Sequence, residues 1–507
     1  MTKRRYQEGL NRDQALLLPY RVEDFVSENH QVRVIDAFVD SLDLALLGFQ
    51  YTTERVSAGK PAYAPGALLK LYIYGYLNRI CSSRRLANET LRNLEVIWLL
   101  GNLKPSYKTI SDFRKDNAKA LKAANRRFIA ICKDLSLFGG EQVGIDGSFF
   151  KGSAGQGSIT TQKQAKQALV RIETDIAAYL QELDKADQTD AEITWETSGL
   201  TEKLAQLRQR QQDYEAALQE MEAKGATQTC RTDPDARRLQ KHGKKMVGYN
   251  VQIAVDAQHK LLVEVDVTND GNDTQQLAPM ATQAKTTLEV DTLTVVADAG
   301  YYNSGHLKTC EDEGIEAYVA EPNKNSQAQQ AGRFDRTAFV YNAQDDQYTC
   351  PAGAVLYRSG VQQKDDKLNH RYASRAEDCN NCPLRSQCLA KNSRYRQLYR
   401  WEHESVLERH RARMETSGPA MMGLRAELAE HPTGTMKLWF GYNHFLTRGF
   451  EKVTGEMNLM GLCYNLKRVM TIMDRDSLLQ YFMKKQDRHA RFIAVILAAF
   501  WRPRMAR

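Results

Sequence analysis

Three kinds of hydrophobic spacing follow one another along this chain. Up to about residue 135 the apolar positions recur at helical intervals. VIDAFVDSLDLALL comes first, then a face made of Leu68, Leu69, Leu71, Tyr72, Gly75 and Tyr76, then one closed by Trp98 and Leu99, then SYKTISDFRKDNAKALKAANRRFIAIC. From Glu141 the pattern shortens. VGIDGSFFKG predicts a strand that ends at Asp146 and then turns. A Gly/Ser/Thr/Gln loop leads to two helices, one lined by Ile172, Ile176, Tyr179, Leu180 and Leu183, the other by Leu200, Leu204, Leu207, Tyr214, Leu218 and Met221. VGYNVQIAVDA and LLVEVDVTND then read as paired antiparallel strands. GNDTQQLAPMATQAKTTL reads as a helix that Asn272 or Asp273 can cap, TLTVVADAG as a strand ending at Asp298, SGHLKTCEDEG as a helix and IEAYVAE as a strand. Residues 322 to about 400 are polar and irregular in pattern, after which helices resume.

With the helical pair set aside, the order is strand, strand, strand, helix, strand, helix, strand. That is the order of a ribonuclease-H-like fold. The expected architecture is therefore an α/β core with a mixed, ribonuclease-H-like sheet, an all-α N-terminal domain, a helical-hairpin insertion and a cysteine-containing insertion. The expected boundaries are 1–135 for the helical domain; 140–157, 246–321 and 402–475 for the core; 158–230 and 322–401 for the two insertions; and 476–507 for a C-terminal tail.

The chemistry lies in carboxylates carried by different elements. Asp146 and Asp298 each follow small or apolar residues (Gly144-Ile145 and Val296-Ala297) at a strand end, where a side chain is held rigidly on the loop side of a sheet. Glu430, in ELAEHPTGTMK, is expected near a helix start, because Pro432 is tolerated only there or at a bend. Three such acids suit Mg²⁺, which takes a few carboxylate oxygens and keeps its waters. Two ions on them suit phosphodiester chemistry, one activating the attacking oxygen and one stabilising the leaving oxygen, with Mn²⁺ able to substitute. Glu456 is the rival third acid. Lys437, seven residues beyond Glu430 and on the same helical face, and Arg448 are candidate phosphate contacts. Trp439, Phe440 and Tyr442 are candidates for base stacking or for the core.

Charge adds a partner. The chain has 70 Lys+Arg against 62 Asp+Glu, a formal net charge of +8, a mild excess compatible with nucleic acid. In the helical region Arg84, Arg85, Arg114 and Lys115 are placed on exposed faces near helix starts, where phosphate docks. Cys350, Cys379, Cys382 and Cys388 form a cluster with one CxxC pair, a candidate structural zinc site, the alternative being reduced thiols. The opening MTKRRYQEGLNRDQ lacks an apolar signal core, and FIAVILAAFW (Phe492 to Trp501) is too short to span a bilayer, so no membrane partner and a cytoplasmic, nucleoid-associated location are expected.

Several segments together resemble an insertion-sequence transposase of the DDE class: PAYAPGALLKLYIYGYLNRICSSRRL and KTISDFRKDN resemble the InsH-type helical front domain. GIDGSFFK, VGYNVQIAVDAQHKLLVEVDVTNDGNDTQQL, VVADAGYYN and FLTRGFEKVTGEMNLMGLCYNLKR resemble the catalytic domain. The resemblance implies a catalytic domain with a retroviral-integrase-like fold and a Mg²⁺-dependent triad, here Asp146, Asp298 and Glu430, with Arg425 before the glutamate and Lys437 after it. It also implies binding of double-stranded DNA at terminal inverted repeats and at a target, strand transfer, and a homodimer in a synaptic complex. The sequence departs from the family pattern at Thr433, where an aromatic is usual. A transposase-derived DNA-binding protein and a metal nuclease without strand transfer are the alternatives.

Overall fold

The computed structural model describes residues 21–50, 61–187, 195–241, 243–322, 330, 332–364 and 367–486. The apolar stretch Phe492–Trp501 and the side chains of Leu183, Leu200 and Trp439 lie outside the described residues. Six helices come first: α1 (Gln31–Asp40), α2 (Pro65–Leu77), α3 (Ser83–Arg92), α4 (Leu94–Leu99), α5 (Tyr107–Asp116) and α6 (Ala118–Asp134). Next come β1 (Gln142–Lys151), β2 (Ile159–Thr161), α7 (Gln162–Asp187), α8 (Trp195–Ala223), β3 (Gln228–Cys230), β4 (Arg237–Lys241), β5 (Lys244–Asp256) and β6 (Leu262–Thr268). They are followed by α9 (Leu277–Leu288), β7 (Leu293–Ala297), α10 (Ser304–Asp312) and β8 (Ile315–Val319). The remainder is β9 (Val340–Asn342), β10 (Gln347–Thr349), β11 (Val355–Lys364), β12 (Lys367–Ser374), α11 (Ala376–Asn380), α12 (Arg385–Cys388), β13 (Gln397–Trp401), α13 (Glu404–Thr416), α14 (Gly418–Gly434) and α15 (Phe450–Ile472).

The main sheet is mixed. Its order is β4-β5-β1-β7-β8, with β6 also on β5. The β5 strand is long enough for β4 to pair along its first part and β6 along its second. The β1 strand is antiparallel to β5 and parallel to β7, and β7 is parallel to β8. Period-two alternation then divides the apolar residues between two faces. Val143, Ile145, Val295 and Ala297 face a core shared with α9 and α10. Val251, Ile253, Val255 and Val296 join the N-terminal helices and α15 in a second, larger core. The α15 helix is buried nearly all round, from Val453 to Met470, which accounts for its apolar residues not being confined to one face.

Two expectations change here. Residues 322–400 are not irregular: β9 to β13 form a separate five-stranded antiparallel sheet. Its pattern was hidden because β11 is solvent-exposed along most of its length, and a strand with two wet faces carries no alternation. The β1 strand also runs past Asp146 to Lys151. What ends near Asp146 is its parallel pairing with β7, whose last pair is Gly144 with Val296, while Asp146 still pairs with Ile253 of β5.

Candidate active site

Alternation along β1 places Gly144 and Asp146 on one face, and alternation along β7 places Val296 and the following Asp298 on the same face. The α14 helix covers that face. It can come close because Gly144 has no side chain: a Cβ there would stand 2.8 Å from Leu428 Cβ. From this helix Arg425 reaches down between the two acids. Its Nη2 lies 3.4 Å from Asp146 Oδ1 and 3.3 Å from Asp298 Oδ2. Asp298 also caps the turn that follows it, accepting from Gly300 N at 2.8 Å. Two strand-borne carboxylates thus converge, and a positive group already occupies the gap between them.

A third acid approaches from the other side of the sheet. Asp273 Oδ1 accepts from Asn250 Nδ2 and Gln252 Nε2, each at 2.7 Å, and both amides are fully buried on β5. Asp273 was expected to cap α9; that helix starts at Leu277, and the Asp273 side chain points to the two amides instead. Gly147 must lack a side chain, since a Cβ would stand 2.6 Å from Asp273 Oδ1 and 2.9 Å from the Tyr301 hydroxyl. Tyr301 donates to Gln252 Oε1. Burial, followed by the charges of Asp273, Asp146 and Asp298, pushes its pKa far up, so it stays a phenol. Sequence reasoning missed this network. Its signal was present as two amides, Asn250 and Gln252, two residues apart inside an otherwise apolar strand.

The other candidates are more dispersed. Glu430 lies near the end of α14, not its start, because the helix begins at Gly418 and carries Pro432 through to Gly434 before a π-type turn over Thr435–Trp439. Glu430 is exposed and makes no hydrogen bond or ion pair among the described residues. Lys437, on the π-type turn, donates to Ser148 Oγ at 2.5 Å and Phe149 O at 2.8 Å, next to Asp146 on the same strand. Arg448 is exposed and donates to Ser153 O at 3.0 Å. Phe440 and Tyr442 are buried and stacked on each other, so they belong to the core. Arg84, Arg85 and Lys115 are exposed, Lys115 beside Asp112 and Asp116. Arg114 is not: it is 4% exposed and paired with Glu456, which is itself fully buried. Expected on a DNA-facing surface, it is instead turned inward, because it supplies the counter-charge to that glutamate.

The residues fit divalent metal to this extent: Asp146 and Asp298 flank a gap that accommodates positive charge. No group of three or more His, Cys, Asp or Glu is drawn together as a metal cluster among the described residues. A surface hollow of about 830 Å³ lies elsewhere, at the starting ends of β1, β7 and β8, around Glu141, Leu293 and Ile315.

Residues 20–116 match the family described as a transposase domain (DUF772), and residues 349–470 match the transposase DDE domain. The chain thus carries two transposase domains, the second of the DDE type. The second match takes in the cysteines, Glu430, Lys437 and Arg448 of the transposase; neither match reaches Asp146 or Asp298. No curated protein matches it. Among solved structures, the transposase aligns with a piggyBac transposase synaptic complex with hairpin DNA at 9% identity and a TM-score of 0.30, over 94% of this chain and 82% of that one. A superposition that loose carries no argument about fold or chemistry. No helix of the transposase is long and apolar enough to cross a membrane, among the described residues.

Proposed function

We propose that this transposase cuts and joins double-stranded DNA with Asp146, Asp298 and Glu430 as its acid triad, on a ribonuclease-H-like core. The observation that carries the reading is the convergence of Asp146 and Asp298 on one gap at the end of a parallel strand pair. The strand order β6-β5-β1-β7-β8, antiparallel then parallel, supports the fold assignment. The two aspartates and, from α14, Glu430 would hold two Mg²⁺ or Mn²⁺ ions. When bound, these ions supply Lewis acidity to the attacking and leaving oxygens. Lys437, beside Asp146, contacts the phosphate next to the scissile one, and Arg448 holds the backbone further out. Arg84, Arg85 and Lys115 of the helical N-terminal part, residues 1–135, dock terminal inverted repeats. Residues 158–230 and 322–401 are insertions into the core, which spans 140–157, 246–321 and 402–475. A homodimer brings two ends together, since joining needs both.

The test is an end-cleavage and strand-transfer assay on a labelled inverted-repeat end with Mg²⁺. Wild type is expected to cut and join. Asp146→Ala, Asp298→Ala and Glu430→Ala are expected to lose chemistry by at least about a thousandfold while still shifting the DNA in a gel. Cutting without joining would favour a plain nuclease, and binding alone a non-catalytic derivative. Full cleavage by Asp146→Ala would remove the site assignment. Asp273→Asn in the same series tells whether the acid held by Asn250 and Gln252 also serves.

A further inference from the structure

We propose that Cys350, Cys379, Cys382 and Cys388 bind one structural zinc ion that holds the β9–β13 sheet together. All four cysteines line one small cavity of about 20 Å³, which Arg385 and Arg396 also border. They arrive from separate parts of the chain. Cys350 follows β10, Cys379 lies in the last turn of α11, Cys382 follows that helix, and Cys388 closes α12. The Cys350 turn has the form of a metal knuckle. Gly353, at φ +85°, lets the chain double back, Gly353 N donates to Cys350 O at 2.9 Å, and Ala354 N points at Cys350 Sγ at 3.3 Å.

Two further observations point to an ion. Among the described residues the core of this sheet is small: Phe339, Tyr348, Leu356, Tyr372 and Leu398 are buried, with Phe334, Ala338, Tyr341, Cys350 and Cys388 packed against them. A five-stranded unit with so little buried apolar surface needs a staple, and structural zinc supplies one. The second is charge. Four thiolates around Zn²⁺ carry a net charge of −2, and two guanidinium groups stand ready for it. Arg396 donates to Cys388 O and Arg385 to Cys379 O, each at 2.9 Å. Arg396 Nε is buried with no acceptor, a donor that a bound thiolate would satisfy.

The thiols are not drawn up to ligating distance among the described residues. Cys379 Sγ lies 3.1 Å from Ser374 Oγ instead. Burial pushes the Cys388 thiol's pKa up, with the Arg396 charge opposing. Binding releases one proton from each of four thiols to solvent and pulls the sulfurs inward, with no change of oxidation state. A disulfide is the competing fate of a CxxC pair; all nine cysteines of the chain are unpaired.

The experiment is zinc analysis of the full-length protein, purified without a metal column, by plasma mass spectrometry. One zinc per chain is expected in wild type and in Asp146→Ala, and none in Cys379→Ser/Cys382→Ser. Should that variant fail to fold, titration of wild type with a mercurial is expected to release one zinc per chain to a chromogenic chelator. Replacement by Co²⁺ is expected to give the intense near-ultraviolet thiolate-to-metal absorption of a sulfur site. A zinc-free wild type with four freely reactive thiols, or zinc lost with Asp146→Ala, would overturn the proposal. Neither outcome touches the catalytic reading, which the cleavage series tests separately.

Discussion

At the scale of single residues, the two aspartates are held together by a cation of the protein's own. Two carboxylates facing one gap repel each other, and Arg425 offsets that repulsion as a bound metal ion would. On the proposed metal site the two roles would compete for the same space. Arg425→Ala is therefore expected to lower the melting temperature of the metal-free protein, by the equivalent of about 1 kcal/mol, since Asp298 is 38% exposed and solvent screens the pair. Mg²⁺ should then raise the melting temperature of the variant more than that of wild type. Equal shifts would mean that arginine and metal do not share the gap. The two aspartates stand out in the sequence because each follows a short apolar run. Their relation to Arg425 does not, because it depends on how α14 crosses the sheet. Nor does the role of Asp273: a local turn pattern reads it as a cap, and only the β5 register brings Asn250 and Gln252 beneath it.

At the scale of elements, the decisive contact is α14 lying on β1. Leu428 sits where a side chain at position 144 would be, and this close approach lets Arg425 reach both acids. Gly144→Ala puts a methyl 2.8 Å from Leu428 Cβ, an atom fixed to the helix backbone and unable to swing away. The helix must lift. The expected cost is about 1–3 kcal/mol, read as a lower urea midpoint with an unchanged slope. An unchanged midpoint would show that the helix is not seated so closely. Strand and helix identities were largely readable here, since apolar strands separated by periodic helices leave few alternatives. Element ends were not. The α14 helix runs through Pro432, which a sequence rule treats as a start or a break, and continues to Gly434 before the π-type turn.

At the scale of the whole molecule, one buried ion pair ties the first helices to the last. Arg114 on α5 lies 3.4 Å from Glu456 on α15, and Tyr76 on α2 donates to the same carboxylate at 3.0 Å. Glu456 also accepts from Leu446 N, Thr447 N and Thr447 Oγ1, so the loop entering α15 is fixed by the same group. Close packing backs the charge: a Cβ on Gly455 would fall 2.5 Å from Ala118 Cα on α6. The helices that would dock DNA and the helix that underlies the sheet thus share one interior. Removing one partner of a buried pair strands the other, at a cost of about 3–5 kcal/mol. Arg114→Met is expected at the lower end, about 3 kcal/mol, because four donors still face Glu456. Lys115→Met, one residue along and exposed, is expected to leave stability unchanged and to flatten the salt dependence of DNA binding by about one ion. Denaturant melts and salt titrations of the two variants separate the roles. If Arg114→Met melts like wild type but binds DNA with a flatter salt slope, the arginine faces DNA after all, and the pair with Glu456 does not hold the molecule together.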